Sequence, residues 1–298
     1  MKFTKMHGLG NDYIYIDAFE EVVRDPQPLA RRLSDRHFGI GGDGLILISP
    51  SRVDGADCRM EMYNADGSRA QMCGNGLRCV AKYAFDRGLV RSSELRVETD
   101  SGVKQAHVLE QESGRARMVE VEMGAPRLDR ASLPLVDGVE SSEPAVALTI
   151  DVAGHAFCGT AVSMGNPHWV VNIDDPGHAP SPLGSLDAMD IETWGPQFEA
   201  HPWFPERVNT EFIVVNSRSE VDMRVWERGS GETLACGTGA CAVVVAGVLN
   251  GWCDPEVGVQ LRGGELRVRW ERPSGDGGGS VYLCGAATEV FEGVWPSG

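Results

Sequence analysis

Short apolar runs, several of them alternating with polar residues, recur along the chain. Runs of this kind that are rich in β-branched and aromatic residues are typical of strands. The pattern predicts strands over residues 14–16, 44–48, 58–63, 95–99, 118–123, 169–171, 211–215, 221–226, 266–270 and 281–284. Longer apolar segments predict helices over 77–86 and 240–249, and a shorter helix is predicted over 28–34. Many strands with few helices indicate an α/β fold of the α+β type, with curved sheets wrapped around one helix in each half.

The two halves of the chain share a sequence motif. Residues 73–88 read CGNGLRCVAKYAFDRG and residues 236–251 read CGTGACAVVVAGVLNG, so a cysteine, two glycines and a terminal glycine coincide. Gly-Asn dipeptides at 10–11 and 165–166 each precede a predicted strand. We therefore interpret the chain as two similar halves.

A segment rich in Pro, Ser and acidic residues, 125–147, separates the two halves and is typical of a linker. We predict an N-terminal domain over residues 1–125, which carries Cys73, and a C-terminal domain over 130–280, which carries Cys236. The last strand region, about 281–298, is expected to return to the N-terminal domain.

The charge of the chain excludes several classes of partner. There are 43 acidic against 27 basic residues, for a formal net charge of −16, which opposes phosphate backbones and anionic membrane surfaces. No apolar run approaches the roughly 20 residues that a membrane helix needs. We expect a cytoplasmic protein that binds neither nucleic acid nor membrane, with its eight cysteines as reduced thiols. Because only four lysines are present, a pyridoxal cofactor, which needs a lysine Schiff base, is disfavoured.

Cys73 and Cys236 each precede a predicted helix. The first N–H groups of a helix lack internal partners and lie at its positive end, so they attract anions. A cysteine there is expected to have its pKa lowered from about 8.5 toward neutrality, and the same N–H groups can hold a substrate carboxylate beside the sulfur. Cysteine is also among the most often buried residues, so the others are assigned to the core. These are the cysteines at 58, 79, 158, 241, 253 and 284.

Two thiols from related halves suit inversion at a carbon atom. One base removes the α-hydrogen from one face while an acid delivers a proton to the other, and two halves facing one another would present one cysteine from each side of a single cleft. A zinc site is a weaker alternative, because the Cys73 to Cys79 and Cys236 to Cys241 spacings do not match a Cys-x-x-Cys knuckle. We therefore expect no metal. The GIGGDG stretch at 39–44 lacks the Lys-Ser/Thr of a P-loop and is interpreted as a tight loop.

Five motifs resemble those of the diaminopimelate epimerase family, and the resemblance runs over nearly the whole chain. They are MHGLGNDY at 6–13, GIGGDG at 39–44, YNADGSRAQMCGNGLR at 63–78, SMGNPH at 163–168 and ERGSGETLACGTG at 227–239. The resemblance implies two pseudo-symmetric domains, each a curved, mainly antiparallel sheet wrapped around a central helix. It also implies cofactor-independent, two-base epimerisation of LL-diaminopimelate to meso-diaminopimelate in lysine and peptidoglycan synthesis, and a homodimer.

The resemblance also assigns roles to individual residues. Cys73 and Cys236 would be the acid and base, and His168 and Glu227 would assist catalysis or position the reacting amine. The implied substrate-binding residues are Asn11, Asn64, Gly74, Asn75, Asn166, Asn209, Glu227, Arg228, Gly237 and Thr238. Among them, the four at the helix starts would hold the reacting carboxylate, and Arg228 suits a bidentate grip on a carboxylate. At Gly44 the chain departs from family members that carry a substrate-contacting glutamine, which puts that single contact in doubt.

Two other functions stay open at this point. A proline racemase-like enzyme also uses two cysteines but acts on substrates with one charged end, whereas Asn64, Asn209 and Arg228 suit a second charged end. A non-catalytic binding protein could use the two glycine-rich helix starts only to capture a carboxylate. The amide side chains also have a simpler interpretation as turn residues, and Glu227 with Arg228 as a surface ion pair.

Overall fold

Eighteen strands and four helices form within the residues that the computed structural model describes, which are 1–130, 133–136, 143–175, 182–271 and 279–296. The strands are β1 (Lys2–Gly8), β2 (Asn11–Asp17), β3 (Gly44–Ser49), β4 (Cys58–Asn64), β5 (Arg69–Ala70), β6 (Glu94–Thr99), β7 (Gly102–Glu112), β8 (Arg115–Gly124), β9 (Leu148–Val152), β10 (His155–Ser163), β11 (Pro167–Asn172), β12 (Asn209–Ser217), β13 (Glu220–Glu227), β14 (Gly231–Glu232), β15 (Glu256–Leu261), β16 (Gly264–Trp270), β17 (Val281–Ala286) and β18 (Thr288–Val294). The helices are α1 (Pro26–Ser34), α2 (Gly74–Asp86), α3 (Ile191–Glu199) and α4 (Gly237–Leu249).

The chain forms two compact units, Met1–Glu122 with Cys284–Gly298, and Met123–Leu283. In the first unit β1 pairs antiparallel with β2 and with β18, and β2 pairs parallel with β3. β3 and β4 are antiparallel, and β4 in turn pairs antiparallel with β5 and parallel with β6. β6, β7 and β8 continue as an antiparallel series. Antiparallel pairs therefore outnumber parallel ones in this unit.

The second unit repeats the same order of pairings. β10 and β11 are antiparallel, β11 and β12 parallel, and β12 and β13 antiparallel. β13 then pairs antiparallel with β14 and parallel with β15, and β15 is antiparallel to β16. The helices fall at matching places, with α1 and α3 in the first crossovers and α2 and α4 in the second. The predicted duplication is thus visible in the pairing of the strands.

α2 and α4 are the central helices of their units. α4 contacts β10, β11, β12, β15 and β16, and its residues from Ala240 to Gly247 are all buried. A helix that is apolar on all sides is expected where a sheet surrounds it. α2 contacts β1, β2, β4, β6 and β7 in the same way. The predicted fold, curved sheets around one helix in each half, is confirmed.

All the strands and helices predicted from the sequence lie inside observed elements. The central helices begin earlier than predicted, at Gly74 and Gly237, because Cys73 and Cys236 act as their N-caps. The sequence analysis missed α3, whose Gly195 and Pro196 read as helix breakers. It also missed the strands β1, β5, β7, β9, β10, β14, β15 and β18. Parts of the predicted linker, at 131–132 and 137–142, lie outside the described residues.

The aromatic core of the second unit explains why α3 forms. The ring of Phe198 packs edge to face against Phe157 at 5.0 Å and against Phe212 at 5.1 Å. A Cβ on Gly195 would lie 2.2 Å from Cδ2 of Trp226, so the glycine lets the indole lie directly on the helix. Buried aromatic contacts of this kind stabilise a helix that local propensity disfavours.

Within the described residues, none of the helices has the length and apolar character needed to cross a membrane. All eight cysteines are free thiols.

Candidate active site

Cys73 lies at the N-cap of α2 in the first unit. Its backbone is extended, with φ −139° and ψ 122°, and its Sγ accepts a hydrogen bond from the N–H of Gly76 at 3.5 Å. Gly74 and Asn75 are the first two residues of the helix, so their N–H groups belong to the positive end. A Cβ on Gly76 would lie 2.8 Å from Cδ1 of Ile46, which explains the second glycine of the motif. The half-buried sulfur and the anion-binding end of the helix therefore adjoin one another.

An asparagine side chain at the start of β2 reaches Cys73. The thiol donates to Oδ1 of Asn11 at 3.4 Å, and Nδ2 of Asn75 donates to the same oxygen at 3.4 Å. Nδ2 of Asn11 donates to Oδ2 of Asp43 at 2.8 Å. Because an ionised carboxylate only accepts hydrogen bonds, Asp43 orients the amide of Asn11 with its oxygen toward Cys73. Asp43 was missed in the sequence analysis, which treated the GIGGDG stretch as a tight loop.

Gly44 leaves no room for the glutamine that some family members carry. A Cβ at this position would lie 2.2 Å from the carbonyl oxygen of Tyr63 and 3.1 Å from Cα of Asn64. Gly44 and Asn64 face each other in the β3–β4 pair. The amide of Asn64 donates to Oγ of Ser68 at 3.0 Å, within a turn. The described contacts of Asn64 are therefore those of a turn asparagine.

Cys236 occupies the matching N-cap of α4 in the second unit. Its Sγ accepts from the N–H of Gly239 at 3.4 Å and lies 3.5 Å from Oγ1 of Thr238. Gly237 and Thr238 begin the helix. Burial raises the pKa of the Cys236 thiol well above its ordinary value, and the nearby carboxylates of Glu227 and Glu211 raise the pKa further.

The raised pKa of Cys236 differs from the expectation that a helix start lowers it. The hydrogen bonds from Thr238 and Gly239 do lower the pKa, but Cys236 is only 4% exposed. Desolvation of the thiolate and two neighbouring negative charges outweigh the helix end. The sequence motif indicates the helix terminus and gives no information on the carboxylates that strands bring beside it.

A chain of hydrogen bonds links His168 to the start of α4. Nε2 of His168 lies 3.1 Å from Oδ1 of Asn166, and Nδ2 of Asn166 donates to Oγ1 of Thr238 at 3.3 Å. On its other side, Nδ1 of His168 lies 2.7 Å from Oε1 of Glu211. The structure thus brings together three residues predicted for the site and a fourth, Glu211, that the sequence analysis did not select.

Glu227 lies at the end of β13 and contacts Cys236. The Cys236 thiol and the hydroxyl of Thr233 both form hydrogen bonds to its carboxylate. Burial is the largest influence on Glu227 and raises the pKa of the carboxyl, while these two hydrogen bonds and His168 oppose the rise. Glu227 is therefore a candidate proton acceptor or amine ligand beside the sulfur.

Asn209 and Arg228 contact one another rather than Cys236. Oδ1 of Asn209 accepts from the backbone N–H of Arg228 at 2.9 Å, and its Nδ2 donates to the carbonyl of Pro167 at 2.9 Å. The exposed guanidinium of Arg228 donates through one nitrogen to the carbonyl of Glu206 at 2.9 Å. Because a guanidinium has five N–H groups, Arg228 retains donors for a carboxylate.

No group of three or more His, Cys, Asp or Glu side chains in the described part of the chain is arranged to hold a metal ion.

The fold is shared with a protein of known structure. The chain superposes on a probable proline racemase from Agrobacterium radiobacter K84 with a TM-score of 0.69 and 14% identity, over 99% of this chain and 92% of that chain. This likeness shows that the two proteins share a fold, which in this chain consists of two units of strands with a central helix in each.

Sequence comparison identifies the family. The sequence model of diaminopimelate epimerase matches residues 3–128 and 160–290. The diaminopimelate epimerase of Acetivibrio thermocellus is 48% identical over 295 residues, covering 98% of each chain. That of Desulfovibrio desulfuricans is 49% identical over 298 residues, covering 99% of this chain and 98% of the other. This chain belongs to the diaminopimelate epimerase family, and the resemblance of its motifs is confirmed.

Proposed function

We propose that this chain catalyses the epimerisation of LL-diaminopimelate to meso-diaminopimelate. Family membership over nearly the full length supports this substrate and the place of the reaction in lysine and peptidoglycan synthesis. The observation that supports the two-base chemistry occurs once in each unit: Cys73 and Cys236 are the N-caps of the two matching central helices. Each thiol therefore stands beside a group of N–H donors suited to a carboxylate.

Inversion at the α-carbon requires two proton-transfer groups. In the proposed mechanism one cysteine removes the α-hydrogen as a thiolate, and the other delivers a proton to the opposite face as a thiol. The N–H groups of Gly74, Asn75, Gly237 and Thr238 hold the reacting carboxylate and stabilise the negative charge that develops next to it. Each cysteine changes its protonation state in a turnover, so the reaction runs in both directions.

The other site residues bind the charged groups of the substrate. Glu227 and His168 assist at the reacting amine, which is supported by the contact between Glu227 and the Cys236 thiol. Asn11 holds the substrate from the start of β2, and Asn166 holds it from the loop before β11. Asn64, Asn209 and Arg228 bind the distant amino-acid end. The exposed guanidinium of Arg228 supports its part in this proposal.

The proposal extends to the organisation of the protein. Residues 1–125 and 130–280 are taken as the two domains, with the segment at about 281–298 belonging to the first, which the pairing of β18 with β1 supports. The free state of all eight cysteines supports a cytoplasmic location. A homodimer that uses no cofactor follows from the family resemblance alone.

A deuterium exchange assay tests the proposal. The protein is incubated with LL-diaminopimelate in D₂O, with a reductant and without pyridoxal phosphate. An epimerase incorporates deuterium at the α-carbon and forms the meso isomer, whereas a binding protein does neither. Proline as the alternative substrate tests the racemase alternative, and turnover of proline without turnover of diaminopimelate would overturn the assignment.

A further inference from the structure

Glu211 is a buried glutamate in β12, directly before the apolar run at residues 212–215. It lies on β12, between Val170 of β11 and Val225 of β13, and its side chain is fully buried. Its Oε2 accepts no hydrogen bond from any residue that the structure describes. A carboxylate in this setting carries a desolvation cost. Buried ionisable side chains with such a cost are common at functional sites.

Glu211 fixes the ring of His168. The two side chains have no exposed surface, and Oε1 of Glu211 lies 2.7 Å from Nδ1 of His168. An ionised carboxylate accepts hydrogen bonds and cannot donate them, so the proton of this contact lies on Nδ1. The ring is then held with Nε2 facing the amide oxygen of Asn166, and the NH₂ group of the same amide donates to Thr238 at the start of α4.

The same carboxylate lies near the cysteine. A Cβ on Gly239 would lie 2.6 Å from Oε1 of Glu211 and 3.2 Å from Sγ of Cys236, so both atoms border one glycine. The ionisable groups facing the sulfur are Glu211 from β12 and Glu227 from β13, with His168 on β11 behind them. A buried negative charge near the sulfur opposes formation of a thiolate.

We infer that Glu211 is a positioning residue, which acts on the reaction by keeping a proton on Nδ1 of His168 and by holding Cys236 as a thiol. This inference deepens the proposed function, on which it rests, because it specifies the form in which the second-unit cysteine begins a catalytic cycle. Burial and both carboxylates raise the pKa of Cys236, which agrees with this geometry.

The charge of Glu211 is removed with least change of shape by Glu211→Gln. The glutamine oxygen can still accept from Nδ1 of His168, so the variant separates charge from packing. The rate at which methyl methanethiosulfonate modifies Cys236 is measured against pH, by mass spectrometry of the peptide. The midpoint should move to lower pH by about one to two units in Glu211→Gln. In the epimerase assay kcat should fall while KM stays near the wild-type value.

Glu220→Gln is the matched control, because Glu220 is an exposed glutamate on the neighbouring strand β13. It should leave both the midpoint and kcat unchanged. An unchanged midpoint in Glu211→Gln, or an equal shift in Glu220→Gln, would overturn the inference. Thiol modification needs no turnover, so a wild-type protein without epimerase activity would refute the proposed function and leave this test intact.

A second measurement does not depend on the folding of the variant. The ¹⁵N spectrum of the wild-type protein, labelled at histidine, should show a protonated Nδ1 for His168 over the pH range of activity. A bare Nδ1, with the proton on Nε2 alone, would contradict the role assigned to Glu211.

Discussion

The orientation of the Asn11 amide depends on Asp43, and the substitution Asp43→Asn tests this dependence. Oδ2 of Asp43 accepts from Nδ2 of Asn11 at 2.8 Å and from the N–H of Asp12 at 3.0 Å. An asparagine at position 43 can present its own NH₂ to Asn11. The Asn11 amide can then rotate and turn its NH₂ group toward Cys73, where the wild type has an oxygen.

The structure sets the expected size of the effect. A hydrogen bond to a charged group contributes about 1.5 to 3 kcal/mol, and the lower value applies because the Asp43 side chain is 38% exposed. Loss of about 1.4 kcal/mol from the transition state corresponds to about a tenfold fall in kcat/KM. We therefore expect kcat/KM for diaminopimelate to fall about tenfold in Asp43→Asn.

The matched control is Asp35→Asn. Asp35 also accepts backbone hydrogen bonds, from His37 and Phe38 at 2.8 Å each, but it is exposed and caps the end of α1. Both variants should melt at somewhat lower temperature, and only Asp43→Asn should lose activity. Full kcat/KM in Asp43→Asn, with melting like that of the control, would refute the argument that Asp43 sets the amide of Asn11.

Three further predictions concern buried groups. The raised pKa of Glu227 in the folded protein means that its ionisation opposes folding, so stability from this group is present at low pH and is lost as pH rises through the folded pKa. The melting temperature of Glu227→Gln, followed by circular dichroism, should therefore be higher than that of the wild type at pH 8 and equal to it at pH 4. The variant should nevertheless lose activity. Iodoacetamide at pH 8 should modify half-buried Cys73 before Cys58, because burial raises the pKa of Cys58 to about 12. The order is measured by mass spectrometry of the two peptides, and modification of Cys58 first would contradict the prediction. Gly44→Ala should lower the melting temperature, since its Cβ would lie 2.2 Å from the Tyr63 carbonyl, and an unchanged temperature would contradict the predicted clash.

Local signals explain what the sequence could predict. The Cys-Gly-x-Gly motif lies within a single strand-to-helix connection, so its glycines and its cysteine predict a helix start without knowledge of the rest of the fold. The strands over 44–48 and 211–215 are recognisable for the same reason, because a short apolar run needs no distant partner to be seen.

The interactions that depend on distant residues could not be predicted. Glu211 contacts His168 only because β11 and β12 pair in parallel. The sequence of neither strand alone specifies that register. The same holds for Asp43 and Asn11, which are 32 positions apart. α3 was missed because its stability comes from the aromatic core around Phe198 rather than from its own residues.

The central claim is that each of the two cysteines performs one proton transfer. Its most direct test is the epimerisation rate of Cys73→Ala and of Cys236→Ala, with Cys158→Ala as the control, measured in D₂O with LL-diaminopimelate. Loss of one general acid or base costs about 10²- to 10⁴-fold, so each of the first two variants should fall by at least that factor while the control keeps the wild-type rate. Wild-type epimerisation in either Cys73→Ala or Cys236→Ala would contradict the account.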